Sequence, residues 1–216
     1  MRWSETLILI FAVLAIVLVL IWLAASRLDR LHRKVVSARL ALDAQLVRRS
    51  SSAFSLATSG YLDPSSSILI AQAAHDASGG ENEGTHELVI ALPDLSPKDK
   101  VEKVLEAGLS DARTQAESQL SLTLRTALDD PEEISEMYES VGASEMLNEV
   151  ASAWYRVQLA RRFYNEAVAQ TARVRKKRLV RFFHLAGNAP MPAMMEFDDA
   201  WPSALREASR SPLLDK

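Results

Sequence analysis

The alternation of polar and apolar positions changes its rhythm several times along the chain. From Leu7 to Ala25 (LILIFAVLAIVLVLIWLAA) nineteen residues carry no charge, and as a helix they extend about 28 Å, the hydrocarbon thickness of a bilayer. A cleaved leader would offer only about 7 to 15 apolar residues, and Ala24-Ala25-Ser26 is a weak cleavage signal. Residues 1–26 therefore read as a retained transmembrane anchor. Beyond it Leu28, Leu31, Val35, Ala38, Leu42, Leu46, Ala53 and Leu56 recur every three or four residues, with arginines on the other faces. This predicts that the membrane helix continues past the bilayer until Gly60, Asp63 and Pro64 stop it near Ser59.

A shorter helix is expected over Ser65 to Ala77. Residues 78–98 read as irregular: SGGENEGTH is glycine-rich and aperiodic, and the apolar run in ELVIALPDLSP is either a short strand or an extended connection. Helical spacing returns from Lys98 to Leu128 through Val101, Val104, Leu105, Ala112, Ala116, Leu120, Leu124 and Leu128. Asp129-Asp130-Pro131-Glu132-Glu133 then spells a helix start, with a capping acid, a proline in the first turn and two acids at the positive end of the helix dipole. Gly142 either interrupts this helical segment or joins it to the next, and a last helix is predicted from Ser144 to Phe183.

That last helix repeats every seven residues, with Ala153, Ala160, Ala167 and Val174 on one line and Val150, Val157, Tyr164 and Thr171 on the next. Small residues at this spacing admit a neighbouring helix closely, so Ala153, Val157, Ala160, Tyr164, Asn165 and Ala167 are the expected interhelical contacts. A two-stranded coiled coil would use the same rhythm, but several long amphipathic helices in one chain more simply bury one another as a bundle. Asn is a mediocre helix former, so Asn165 in mid-helix points to a structural hydrogen bond. The organisation expected is an anchor over 1–26, a helical bundle over 27–185 and a proline-containing tail over 186–216.

Charge adds orientation. Only Arg2 precedes the apolar span, whereas Arg27, Arg30, Arg33, Lys34 and Arg39 come after it, so the positive-inside rule places a short N-terminus outside and the body in the cytoplasm. The chain of 216 residues has a net charge of −3, yet six cations, Arg173, Arg175, Lys176, Lys177, Arg178 and Arg181, stand together before Phe182 and Phe183. Three readings compete for them: complements to a helix dipole, phosphate contacts to nucleic acid, or contacts to anionic lipid. No recognisable nucleic-acid reading motif accompanies the cluster. In an up-down-up-down bundle the last helix ends beside the start of the first. The six cations and the two phenylalanines would then join Arg27, Arg30, Arg33 and Lys34 at the membrane surface. At the other extreme the run Asp129 to Glu149 holds eight acids and no base, and reads as a solvated face.

Signals for chemistry are sparse. Cysteine is absent, which removes disulfides and thiolate ligands. Glu83-Gly84-Thr85-His86 has the Glu-x-x-His spacing of di-iron bundles but sits in the glycine-rich stretch and has no second copy. His32, His75 and His184 lack partners at ligand spacing, and neither a Walker-type loop nor a Gly-x-Ser-x-Gly elbow occurs. No catalytic, cofactor or metal residues are assigned.

Two segments carry a resemblance: Ala41-Leu42-Asp43-Ala44-Gln45-Leu46-Val47-Arg48-Arg49 and Ala160-Arg161-Arg162-Phe163-Tyr164-Asn165-Glu166-Ala167-Val168. Together with the N-terminal anchor they resemble the LemA family of bacterial membrane proteins, of which this chain would be a divergent member. Ser50-Ser51-Ser52 stands where the family continues with an acid, a proline and an asparagine. The resemblance implies a four-helix bundle on one anchor and no established chemistry. The function expected is a non-catalytic interaction or scaffold protein without cofactor, whose partners are the membrane and proteins at it. An accessory subunit of a membrane enzyme and a membrane-tethered nucleic-acid binder are the alternatives.

Overall fold

The computed structural model describes residues 3–79, 111–185 and 191–208, and these are all-α with connecting turns and one extended segment. The first helix, α1 (Trp3–Thr58), runs unbroken for 56 residues, about 84 Å, because no proline or glycine interrupts it. Its apolar N-terminal stretch is long enough to cross a membrane. Gly60 in a left-handed conformation, φ 81°, turns the chain. The Asp63 carboxylate then accepts the backbone N–H groups of Ser65 and Ser66 at 2.9 and 3.1 Å and starts α2 (Pro64–Gly79). The Ser65 hydroxyl, and then Ser66, hold the Asp63 carboxyl down at about 2, since hydrogen bonds to the ionised form favour it.

The chain continues through α3 (Asp111–Ala127), α4 (Pro131–Glu139) and α5 (Val141–Arg175). Asp130 caps α4 as the sequence predicts, accepting the Glu132 N–H at 2.9 Å with Pro131 in the first turn. Gly142 does not break a helix; it lies in the first turn of α5, where an added Cβ would collide with the Tyr61 hydroxyl. The α1–α2 corner therefore closes on the start of α5.

Rising numbers on α1 meet falling numbers on α5, so the two are antiparallel. Leu28 packs with Val174 and Val180; Val35, Leu42 and Leu46 pack with Val157, Tyr164, Ala167 and Val168; Ala53 and Leu56 share the largest core with Leu147, Val150 and Trp154. α2 lies along α1, and α3 lies along α2. The result is an antiparallel four-helix bundle of α1, α2, α3 and α5, with α4 as a short connector. Both lines of the seven-residue rhythm face inward: Ala153, Val157, Ala167, Thr171 and Val150 are fully buried, whereas Ala160 is only partly so.

Two expectations change. The helix predicted from Ser144 to Phe183 is interrupted: α5 ends at Arg175, Lys177 is extended, and a five-residue α6 (Arg178–Phe182) comes next. The break lets Val180 turn back onto Leu28 and Val174 instead of running on into solvent. The tail is not beyond the bundle either. Residues 191–202 form an extended strap along it, leading to α7 (Ser203–Ala208), and Met195, Phe197, Ala204 and Leu205 are buried in its cores. The irregular stretch beyond Gly79, the 87–97 segment, and Val101, Val104 and Leu105 lie outside the described residues.

Candidate functional site

Antiparallel packing of α1 and α5 brings two basic segments to one end of the bundle. Arg27, Arg30, Arg33 and Lys34 from α1 and Arg173, Lys176, Lys177, Arg178 and Arg181 from the end of α5 and from α6 are exposed there, and Arg175 is half-buried. A few polar ties hold the two sides together. The Lys34 ammonium donates to Gln170 Oε1 at 3.1 Å, and Gln170 donates to Glu166 Oε1 at 2.8 Å. Glu166 also pairs with Arg173 at 3.1 Å, and Asp29 pairs with Arg33 at 2.7 Å. The Gln170 hydrogen bond, then Arg173 and Lys34, keep the Glu166 carboxyl below its ordinary range. Phe182 is 78% exposed and Phe183 41%, stacked edge to face with centroids 5.0 Å apart.

His32 lies between these basic segments. It is buried, its Nε2 has no hydrogen-bond partner, and desolvation followed by the Arg175 charge pushes its pKa below the ordinary 6.5, with Asp29 opposing weakly. His75 and His184 are exposed, and among the described residues no group of His, Asp and Glu could hold a metal ion. Glu83 and His86 lie outside the described residues.

Further along α1 the bundle buries a charged centre that the sequence pattern did not mark. Arg49, fully buried, donates to the Glu117 carboxylate at 2.8 Å, to the Glu117 carbonyl at 3.1 Å and to Ser121 Oγ at 3.0 Å. Arg113 donates to the other Glu117 oxygen at 3.0 Å. The Arg49 guanidinium lies 5.4 Å from the Trp154 ring centroid and 6.0 Å from that of Phe197. Both carboxylate oxygens are occupied by guanidinium donors, so this centre offers no free base or acid. It joins α1 to α3. The only hint in the sequence was a register: Glu117 and Ser121 fall on the same helix face as Leu120 and Leu124.

The Tyr164-Asn165 pair does make structural hydrogen bonds, but to the strap instead of another helix. Asn165 accepts from the Met195 N–H at 2.9 Å and donates to its carbonyl at 3.0 Å, so one side-chain amide satisfies both backbone groups. Tyr164 donates to the Ala193 carbonyl at 2.8 Å, and burial raises its pKa. Trp154 and Gln158 donate to the Asp199 carbonyl at 2.9 and 2.7 Å, and Arg161 pairs with the Asp199 carboxylate at 2.8 Å. On the opposite side Arg125 pairs with Asp198 through both carboxylate oxygens, and the Asp198 N–H donates to Ser118. The strap thus ties α3 to α5.

On the outer side of the α1–α5 pair, Ala38, Ala41, Gln45, Arg156, Leu159, Ala160 and Phe163 line an open cleft of about 240 Å³. Phe163 is 62% exposed, and Gln45 Oε1 has no hydrogen-bond partner. The eight acids from Asp129 to Glu149 are all exposed at the far end of the bundle, as a solvated face should be. Comparison of the chain with models of known protein families, with curated proteins and with solved structures yields no match. The functional reading therefore rests on the chain's own geometry.

Proposed function

We propose that the chain is a single-pass, membrane-anchored helical interaction protein of the LemA type, with a short N-terminus outside, its body in the cytoplasm and no catalytic role. The observation that carries this reading is the change of character along one unbroken helix. From Leu7 to Leu20 every side chain of α1 is exposed, and Trp22 and Leu23 are exposed as well. From Leu28 on, the same helix buries one stripe against α5. An apolar surface of this size has no place in water and suits hydrocarbon. Because no flexible linker separates anchor from body, the bundle would stand at a set angle to the membrane. It would present its sides, among them the cleft around Phe163, to neighbouring membrane proteins.

Topology tests the reading first. The protein should stay with membranes after carbonate extraction. A single cysteine replacing exposed Ser55 should react with a membrane-impermeant maleimide only after lysis. Reaction in intact cells would overturn the cytoplasmic assignment, and release by carbonate would overturn the anchor. For the interaction role, a photo-crosslinker at Phe163 should capture membrane proteins that one at exposed Leu122 does not; identical products from both sites would remove the cleft from the proposal.

A further inference from the structure

The end of the bundle where α1 leaves its apolar stretch carries more than the anchor needs. Leu28 lies three residues past Ala25, so about 4 to 5 Å along the helix axis, and there it packs against Val174 and Val180. The polar layer on each side of the hydrocarbon is about 5 to 7 Å thick. Contact with Leu28 therefore holds α6 at headgroup depth. The chain forms a compact knuckle here: Lys177 is extended, His184 is left-handed with φ 49°, and the Leu185 N–H closes back onto the Val180 carbonyl at 3.0 Å.

The outer surface of that knuckle is cationic and aromatic. Asp29 and Glu166 already pair with Arg33 and Arg173. Arg27, Arg30, Lys176, Lys177, Arg178 and Arg181 are all exposed and make no ion pair among the described residues. Like charges gathered so closely repel, and an adjacent anionic surface relieves that repulsion. Phe182 and Phe183 stand exposed among them, where water gains nothing from them and the headgroup boundary accommodates rings.

We infer that residues 176–183 form a second foot of the protein, which docks on anionic phospholipid headgroups beside the point where α1 leaves the bilayer. The inference rests on the reading that α1 spans the membrane. A nucleic-acid duplex would offer phosphates too, but at this depth it would meet the same anionic headgroups that repel it, and it has no use for the phenylalanines.

The chain lacks cysteine, so one introduced thiol reports one place. Full-length protein bearing Leu179→Cys with an environment-sensitive fluorophore is placed in bilayers of phosphatidylcholine with or without phosphatidylglycerol, and quenching by neutral, aqueous acrylamide is read. Shielding is expected in the anionic bilayers and much weaker in the neutral ones. Replacing Lys176, Lys177, Arg178 and Arg181 by Gln should lower the docked-to-free ratio in anionic bilayers at least about tenfold. Full acrylamide access in anionic bilayers, or shielding that neither the Gln changes nor lipid charge alters, would overturn the foot. A label at Leu14→Cys separates the premise from the inference: shielded there in all bilayers, it upholds the anchor whatever Leu179→Cys shows, and exposed there, it overturns both. Binding of a DNA duplex by the protein in neutral bilayers, lost in the Gln variant while the Leu179→Cys label stays exposed on anionic lipid, would assign the cations to nucleic acid instead.

Discussion

The two ends of the bundle are stabilised by different means. The end far from the apolar N-terminal stretch holds the largest apolar core, gathered from α1, α2, α3, α4, α5 and α7 around Leu56, Ile70, Leu124, Leu147 and Trp154, and its acids are exposed to water. Among the described residues the apolar cluster of the near end is small, with Leu28, Val174 and Val180 buried and Leu31 and Leu185 against them, under a shell of cations. At about 1.5 to 3 kcal/mol for each fully buried large apolar side chain, the far end can hold itself together. The near end has little burial to set against its own charge. Stability made by burial belongs to the folded chain alone, whereas stability made by charge depends on what lies opposite.

Stability measurements in detergent, without a lipid surface, can break this contrast or sharpen it. Glu117→Leu should have the largest effect, about 3–5 kcal/mol, because it strands the buried Arg49 charge among Trp154 and Phe197. Pairing it with Arg49→Met should recover most of the loss, since an apolar pair of similar volume serves a dry core as well. A double variant no more stable than the single one in urea unfolding would show that the ion pair supplies net stability. Asn165→Leu should cost about 1–3 kcal/mol by leaving the Met195 N–H and carbonyl unpaired. Enhanced proteolysis within 191–202 would show that the strap detaches first.

Ala167→Leu should also cost about 1–3 kcal/mol through overpacking in the middle core. Ala160→Leu, at a partly buried position where the middle core meets the open cleft, should cost less than Ala167→Leu. Equal midpoints for the two would mean that their different exposures do not matter. His32 gives a smaller, pH-dependent effect at the near end. Its folded pKa is lowered by burial and by Arg175, so the unfolded chain binds the proton more readily. Stability therefore falls as pH drops below about 6.5 and continues to fall until the folded pKa is passed. Urea midpoints at about pH 7.5 and 5.5 should differ less in His32→Gln than in the parent chain. Smallest of all, Gln at Lys176, Lys177, Arg178 and Arg181 should leave the detergent midpoint unchanged or slightly raised, as repulsion is removed. A marked loss would show that these cations serve the fold itself.

Local order along the chain was legible wherever neighbours in sequence supply the physics. The apolar run from Leu7 to Ala25, the stop at Gly60, the Asp130 cap with Pro131, and the inward lines through Val150, Val157 and Ala167 depend on spacing and on bonds within one turn. The fold class comes from them, and so does the meeting of the two basic segments, because antiparallel neighbours bring first and last residues together. What escaped depends on contacts between distant residues. No spacing marks Arg49 as the partner of Glu117 68 positions away, since an arginine on a helix reads as solvated until the opposing helix removes the water. The break at Lys176–Lys177 has no proline or glycine to announce it; the Leu28 and Val174 surface draws Val180 inward. The extended strap has no periodicity at all, and its place between α3 and α5 exists only once Asn165, Tyr164, Trp154, Arg125 and Arg161 have been assembled to meet its backbone and its two aspartates. The sequence by itself determined which segments are helical and which faces are apolar, because those are short-range preferences. Only the tertiary structure decided where the buried charges, the break and the strap lie, because desolvation and pairing act between residues that meet only on folding.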